Sequence, residues 1–204
     1  ESGTEVFAID TSTNGNSPTF DAPFPPDFAF MTDVSSEVNR LAHTRLLQGT
    51  VLKINATSAE ETYGPAQFDY MEGYCDSLGV TGWYGWMLKR ATGFMDVVAY
   101  SGDGIAGSTQ SHNLGVVPEC MIVKRRDGVS SWITYCDALG ATKGQFLDTN
   151  QAFTSSSYWS DTAPTATQLT LGSGSTNNSG ATFIAYLFAT LAGVSKVGSY
   201  TGTG

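Results

Sequence analysis

Apolar and polar residues alternate with period two in almost every patterned stretch of this chain: 5–10, 28–31, 67–71, 95–101, 119–123, 132–136 and 168–171. Alternation at that period sends successive side chains to opposite faces and predicts half-buried strands. Turn dipeptides and small polar clusters separate the runs, among them Asn14-Gly15, Asp103-Gly104, Asp127-Gly128 and the tract 172–180. Short strands punctuated in this way predict an all-β, mainly antiparallel fold of β-sandwich-like units. A helix competes best at 35–47, where Val38, Leu41 and Arg45 stand at helical spacing. The matching stretch 127–139 reads as a hairpin arm, so a strand with a loop is expected there. Two runs, 83–88 and 183–188, are apolar on both faces. Such a strand is central in a sandwich or covered outside by another domain or subunit. Trp86, Leu88, Tyr186 and Phe188 are therefore expected to be deeply buried, with Gly85 and Ala185 leaving room for close packing.

The same patterns recur along the chain. At a spacing of 100, the last stretch repeats the middle one through Gly93/Gly193, Val97/Val197, Tyr100/Tyr200, Gly102/Gly202 and Gly104/Gly204. The front joins the series: Val6-Phe7-Ala8-Ile9 against Val97-Val98-Ala99-Tyr100, and Pro26 to Met31 against Pro118 to Val123. Further on, Leu47 meets Leu139, Ile54-Asn55 meets Leu147-Asp148, and Phe68, Tyr70 and Gly73 meet Leu169, Leu171 and Gly174. The offset grows from 91 through 92 and 93 to about 100, as it does when insertions fall in loops. Two tandem β-sandwich-like repeats are expected, over 1–92 and 93–192. The segment 193–204 is read as the opening strand of a further repeat or as an assembly strand, with Val197 and Tyr200 as its contact residues. The junction at Ala91-Thr92-Gly93 is too short to act as a flexible linker, so the units should hold a fixed orientation.

Charge narrows the partners. The net charge is −9, and only 14% of residues are charged, against about a quarter in ordinary domains. An acidic surface argues against a nucleic-acid backbone or an anionic membrane, and no run is long and apolar enough for membrane insertion. The chain begins at Glu1 rather than Met, which reads as a processed or excerpted chain. Three cysteines make no disulfide framework. Cys120 and Cys136, however, are equidistant from Gly128 and could face each other across a hairpin, as a bonded pair or as two free thiols. Asn55-Ala56-Thr57 and Asn177-Asn178-Ser179 match the glycosylation acceptor pattern.

Catalytic spacing is not found. His43 lies in an apolar stretch and His112 in a loop, where structural hydrogen bonding explains both. No nucleophile-elbow, zinc or phosphate-loop string occurs, and Gly102-Asp103-Gly104 lacks the helix that a phosphate cradle needs. Glu60, Glu61, Asp69, Glu72 and Asp76 gather acids that a glycosidase could use, yet a solvated loop explains them more simply. Calcium would need alternating oxygen ligands that no stretch supplies. The expectation is a non-enzyme with no catalytic residue, cofactor or metal. Binding is the better candidate, since Trp83, Trp86, Trp132, Tyr158 and Trp159 offer flat faces for sugars or protein hot spots. The turn-rich segment 158–165 is favoured, with Tyr158, Trp159 and Asp161, and Trp132 beside it, as surface or glycan-binding residues.

The second half carries a resemblance. The strings HNLGVVPECMIVKRRDG, SSWITY, LGATKGQFLDTN, SSYWSDTAPTATQLTLGS, SGATFIAYLFA and AGVSKVGSYTGTG follow in order over 93–204. Together they resemble a repeat module of large virion proteins of tailed bacteriophages, of the tail-fibre or structural kind. The first half, with PPDFAFMTD and LKINATSAEET, resembles it more loosely and lacks the basic residues that usually follow the first of these strings. The resemblance implies a non-enzymatic, β-rich component of a fibre, spike or capsid appendage at the virion surface, with a role in host attachment. Its implied partners are further copies of itself, other virion proteins and a host cell-surface glycan. Two other readings stay open: a subunit of an extracellular filament or adhesin assembled by strand addition, and a secreted carbohydrate-binding module or glycoside hydrolase.

Overall fold

A computed structural model describes residues 2–12, 18–33, 40–62, 68, 70–74 and 82–203. Among them the regular structure is strand, with short 3-10 turns. One six-stranded antiparallel sheet runs in the order β1 (Phe7–Thr11), β8 (Trp83–Leu88), β3 (Phe28–Asp33), β4 (Arg40–Thr44), β5 (Thr50–Lys53) and β6 (Glu61–Thr62). The second follows the same path with β9 (Met95–Ser101), β16 (Thr182–Phe188), β11 (Cys120–Arg125), β12 (Ile133–Cys136), β13 (Lys143–Phe146) and β14 (Thr154–Ser155). Each sheet has a two-stranded companion: β2 (Phe20–Asp21) with β7 (Gly73–Tyr74), and β10 (Thr109–Ser111) with β15 (Gln168–Thr170). A 3-10 turn follows the fourth strand in both, at Arg45–Leu47 and Asp137–Leu139. The described part of 35–47 is thus strand and turn, as expected, while 34–39 lies outside the described residues.

The pairing register fixes which residues correspond. Leu88 and Phe188 stand opposite Phe28 and Cys120 on one side, and opposite Phe7 and Met95 on the other. The equivalences Phe28/Cys120, Leu47/Leu139 and Ile54/Leu147 agree with the sequence offsets. At the first strand they do not. Phe7 corresponds to Met95 and Ile9 to Val97, an offset of 88 in place of 91. An odd slip of that kind exchanges the two faces of a strand.

Three apolar cores lie in line. Ala29, Met31, Leu41, Val51 and Met87 pack under Phe20, Phe68 and Tyr74 on one face of the first sheet. Gly85 is required there, because a Cβ would meet the Phe20 ring at 2.7 Å. Met121, Val123, Ile133, Tyr135, Phe183, Ala185 and Leu187 pack under Trp159, Leu169 and Leu171 on the corresponding face of the second. Between the two sheets, Val6, Ala42, Leu47 and Leu52 meet Phe94, Met95, Val97, Trp132, Ile184 and Tyr186. The Phe28 ring lies 4.7 Å from Tyr186, which stacks on Trp132 at 6.2 Å. The second sheet is therefore covered on both faces, which is why β16 is apolar throughout. β8 differs from the expectation. Met87 is buried, but Trp86 is half-buried and Tyr84 is 40% exposed, because nothing among the described residues covers that corner of its outer face. Leu88 and Phe188 reach only partial burial, at the margin of the central core.

Polar bonds fasten the same joint. Arg126 grips Glu60 through two bonds of 2.7 and 2.9 Å, and Glu60 N donates to Arg126 O at 2.7 Å. Lys124 has no solvent exposure, and its Nζ donates to Thr57 O and Ser130 O at 3.1 and 2.7 Å. Burial pulls its pKa down to about 8. At the junction Arg90 binds Asp96 at 2.7 Å, and Asp96 also accepts from Asn113 N. After β16 the turn Leu191–Ser195 copies Ala91–Met95, with Gly93 and Gly193 both at φ 78°. Beyond it, residues 196–203 pair with no described strand of this chain. Val197 N donates to Thr190 Oγ1, and Tyr200 is 93% exposed.

Candidate functional site

Two of the aromatic residues expected at a binding surface are interior. Trp132 closes the joint between the sheets: its Nε1 donates to Lys53 O at 3.0 Å, and its ring stacks on Tyr186. Trp159 is fully buried and meets Tyr135 edge-on at 5.7 Å. Neither ring offers a face to a ligand. Tyr158 is half-buried against Phe146 and Gly144, where a Cβ would collide with its ring. Asp161 is exposed, at a left-handed φ of 51° beside Ser160 at 48°. The segment 158–165 is thus a tight turn anchored inward by Trp159.

Several of the polar candidates are committed to holding the fold. His112 bonds Thr165 O through Nε2, and its Nδ1 accepts from Leu114 N. His43 is buried 5.4 Å from the Tyr74 ring, and burial pulls its pKa down to about 3. Glu60 pairs with Arg126 and Glu61 with Lys53 at 2.8 Å, while Glu72 is exposed. Asp69 and Asp76 lie outside the described residues. Asp103 accepts from Ile105 N, Ser108 Oγ and Asn177 Nδ2, which holds its carboxyl below the usual range. A Cβ at Gly102 would run into the Asn178 carbonyl, so Gly102-Asp103-Gly104 is a lock between two loops. Asn177 is fully buried in that lock and closed to glycosylation in the fold, whereas Asn55 is exposed. Cys120 and Cys136 stand directly opposite each other as half-buried free thiols, and burial pushes Cys120 up to about 11. Among the described residues no three His, Cys, Asp or Glu side chains are grouped to hold a metal. No described helix is long and apolar enough to cross a membrane. A polar cleft at the junction is lined by Asp27, Arg90, Thr92, Asp96 and Asn113; Arg90 pairs with Asp96, and Asp27 pairs with Arg45 and accepts from Arg90 N.

What stands open is an aromatic face on the first sheet. Phe7, Ile9, Tyr84, Trp86 and Phe30 share one side of neighbouring strands β1, β8 and β3, with Ile9 and Phe30 both opposite Trp86. Ile9 is 53% exposed and Phe7 39%, while Phe30 and Trp86 stack at 5.0 Å. Contiguous apolar surface of this kind marks a place of interaction. Of these, sequence reasoning offered only Trp86 as a flat binding face, and it also expected Trp86 to be deeply buried. The usable signal was the two-sided apolar character of 83–88, which called for a cover on the outer face.

Comparison with curated proteins finds no match, and neither does comparison with solved structures. Residues 88–204, more than half of the chain, match a family described as Domain of unknown function (DUF7483). That span runs from the end of β8 through the whole second sheet and past the repeated turn at Leu191, and on it the chain belongs to the DUF7483 family.

Proposed function

We propose that the chain is a non-enzymatic structural component of a tailed-bacteriophage virion, part of a fibre, spike or capsid appendage that helps attach the particle to its host. The observation that carries this reading is the use of one β unit twice, stacked sheet against sheet through a buried core. Repetition of that kind builds length and rigidity from a single fold. The virion setting itself rests on the resemblance of the strings in 93–204 to phage particle modules. Glu60, Glu61, Asp103, His43 and His112 are engaged in ion pairs, a loop lock and cores, which fits a building part better than a catalyst. Immunogold electron microscopy with an antibody to the chain tests the reading: label is expected on fibres or appendages of purified particles. Label confined to cell-surface filaments would refute it in favour of the adhesin reading.

A further inference from the structure

The joint between the two sheets is unsymmetrical. Val6 and Phe94, and Leu88 and Phe188, are equivalent residues that both units contribute. Beyond them the first unit contributes Phe28, Ala42, Leu47, Leu52 and Ile54, and the second contributes Met95, Val97, Ile122, Trp132, Ile184 and Tyr186, which stand at different positions of the unit. The first unit's counterparts of Met95, Val97, Ile122, Ile184 and Tyr186 are Phe7, Ile9, Phe30, Tyr84 and Trp86. These are the residues of the open aromatic face. In the second unit, the counterparts of Ala42, Leu52 and Ile54 are Thr134, Gln145 and Leu147; the first two are half-buried, with Thr134 Oγ1 itself covered, and Leu147 is 46% exposed. Each unit therefore leaves part of its joint face outside the contact, beside the part that is buried. A head-to-tail contact of this class can repeat without closing.

We propose that the face formed by Phe7, Ile9, Phe30, Tyr84 and Trp86 docks a second copy of this chain, through that copy's β12–β13 face around Thr134, Gln145 and Leu147. This deepens the structural reading above by naming the partner and the surface. The intramolecular joint supplies the template. Thr134 and Gln145 stand where Ala42 and Leu52 do, so the contact between chains is weaker than the one within the chain.

Sedimentation velocity of the full chain from micromolar to millimolar concentration tests it, alongside Ile9→Asp, Tyr84→Ser and Leu147→Asp. All three positions are exposed, and circular dichroism checks that each variant folds. Wild type is expected to form open-ended oligomers, and an aspartate in the contact to weaken association by about a hundredfold. Mixing Ile9→Asp with Leu147→Asp should restore dimers, because each variant keeps one good half. A wild type that stays monomeric overturns the proposal, as does association unaffected by Ile9→Asp and Tyr84→Ser. Sensitivity to Ile9→Asp but not to Leu147→Asp means patch-to-patch pairing, and also overturns it. Loss of glycan-array binding in Tyr84→Ser, with a monomeric wild type, would assign the face to sugar instead. A chain that associates as described yet is absent from particles removes the virion reading and leaves the docking face standing.

Discussion

Truncating Trp132 to alanine should loosen the joint between the two units more than it disturbs either unit alone. The indole is 2% exposed, and it begins an aromatic series that crosses the joint, with Trp132 on Tyr186 and Tyr186 on Phe28. Removing a buried Trp costs about 3–5 kcal/mol through lost transfer energy and the cavity left behind. The hydrogen bond from Nε1 adds about 1 kcal/mol at most, because Lys53 O also accepts from Ala56 N at 3.3 Å. The net loss is about 4 kcal/mol, a large share of the ~5–15 kcal/mol that holds a typical domain. Guanidinium denaturation followed by far-UV circular dichroism reads it. Wild type should unfold in one transition, and Trp132→Ala in two or in one much earlier. Trp132→Phe keeps the stack and should lose only about 1–2 kcal/mol. Trp159→Ala is the control, with a similar cost confined to the second unit's own core. A loss below about 1 kcal/mol for Trp132→Ala, or one indistinguishable in shape from that of Trp159→Ala, would show that this residue does not couple the units.

Acid should weaken the fold before the carboxylates titrate. His43 titrates near 3 when folded and near 6.5 when unfolded, so below 6.5 the unfolded chain binds a proton that the folded chain refuses. Stability therefore falls as pH drops from 6.5 toward 3, by up to about 1.4 kcal/mol per pH unit, with the lowered His112 adding in the same direction. Urea melts at pH 7, 6 and 5 check this, and a wild type whose stability is flat over that range, or a slope unchanged in His43→Leu, contradicts it. The thiols of Cys120 and Cys136 should join under diamide, the diazene taking up both hydrogens. Asp137 N donates to Glu119 O, which makes the cysteines a close non-hydrogen-bonded pair. The raised Cys120 pKa makes the reaction faster at alkaline pH. Thiol titration should then find one free cysteine of three, with stability raised by about 3 kcal/mol for a loop of this length; peptide mapping that places Cys75 in the bond would refute the assignment.

Alternation and turn dipeptides disclosed the all-β class, and the offsets of 92, 93 and, at Leu88/Phe188, 100 match the strand equivalences, whereas Gly73 in β7 corresponds to β15 and not to Gly174 beyond it. The first strand resisted for a physical reason. In the stretch 95–101 the polar position Asp96 is itself buried, held by Arg90 and Asn113, and 97–100 is apolar on both faces, so either phase of the period-two pattern fits and the pattern alone could not set the register. Lys124 was illegible in another way. A lysine in a strand reads as solvated, and the carbonyl that holds it inside belongs to Thr57, 67 residues away. Trp159 sits in a turn without periodicity and was read as exposed, although a tight turn can drive one large ring into a core. These failures share a cause, since each residue's environment is supplied by a distant segment.

The open face differs from all of these, because its composition argues for a cover. Two copies of one unit carry the same joint face, and in this chain each leaves part of it outside the contact. On the second unit that part is polar at the half-buried Thr134 and Gln145. On the first unit it is not. It keeps Phe7, Ile9, Phe30, Tyr84 and Trp86, bulkier than or as apolar as their counterparts Met95, Val97, Ile122, Ile184 and Tyr186, which are buried or, for Ile122, half-buried in the joint. Solvent alone asks nothing of that kind from five neighbouring positions on three strands. A recurring partner does, and the buried joint shows the shape such a partner has.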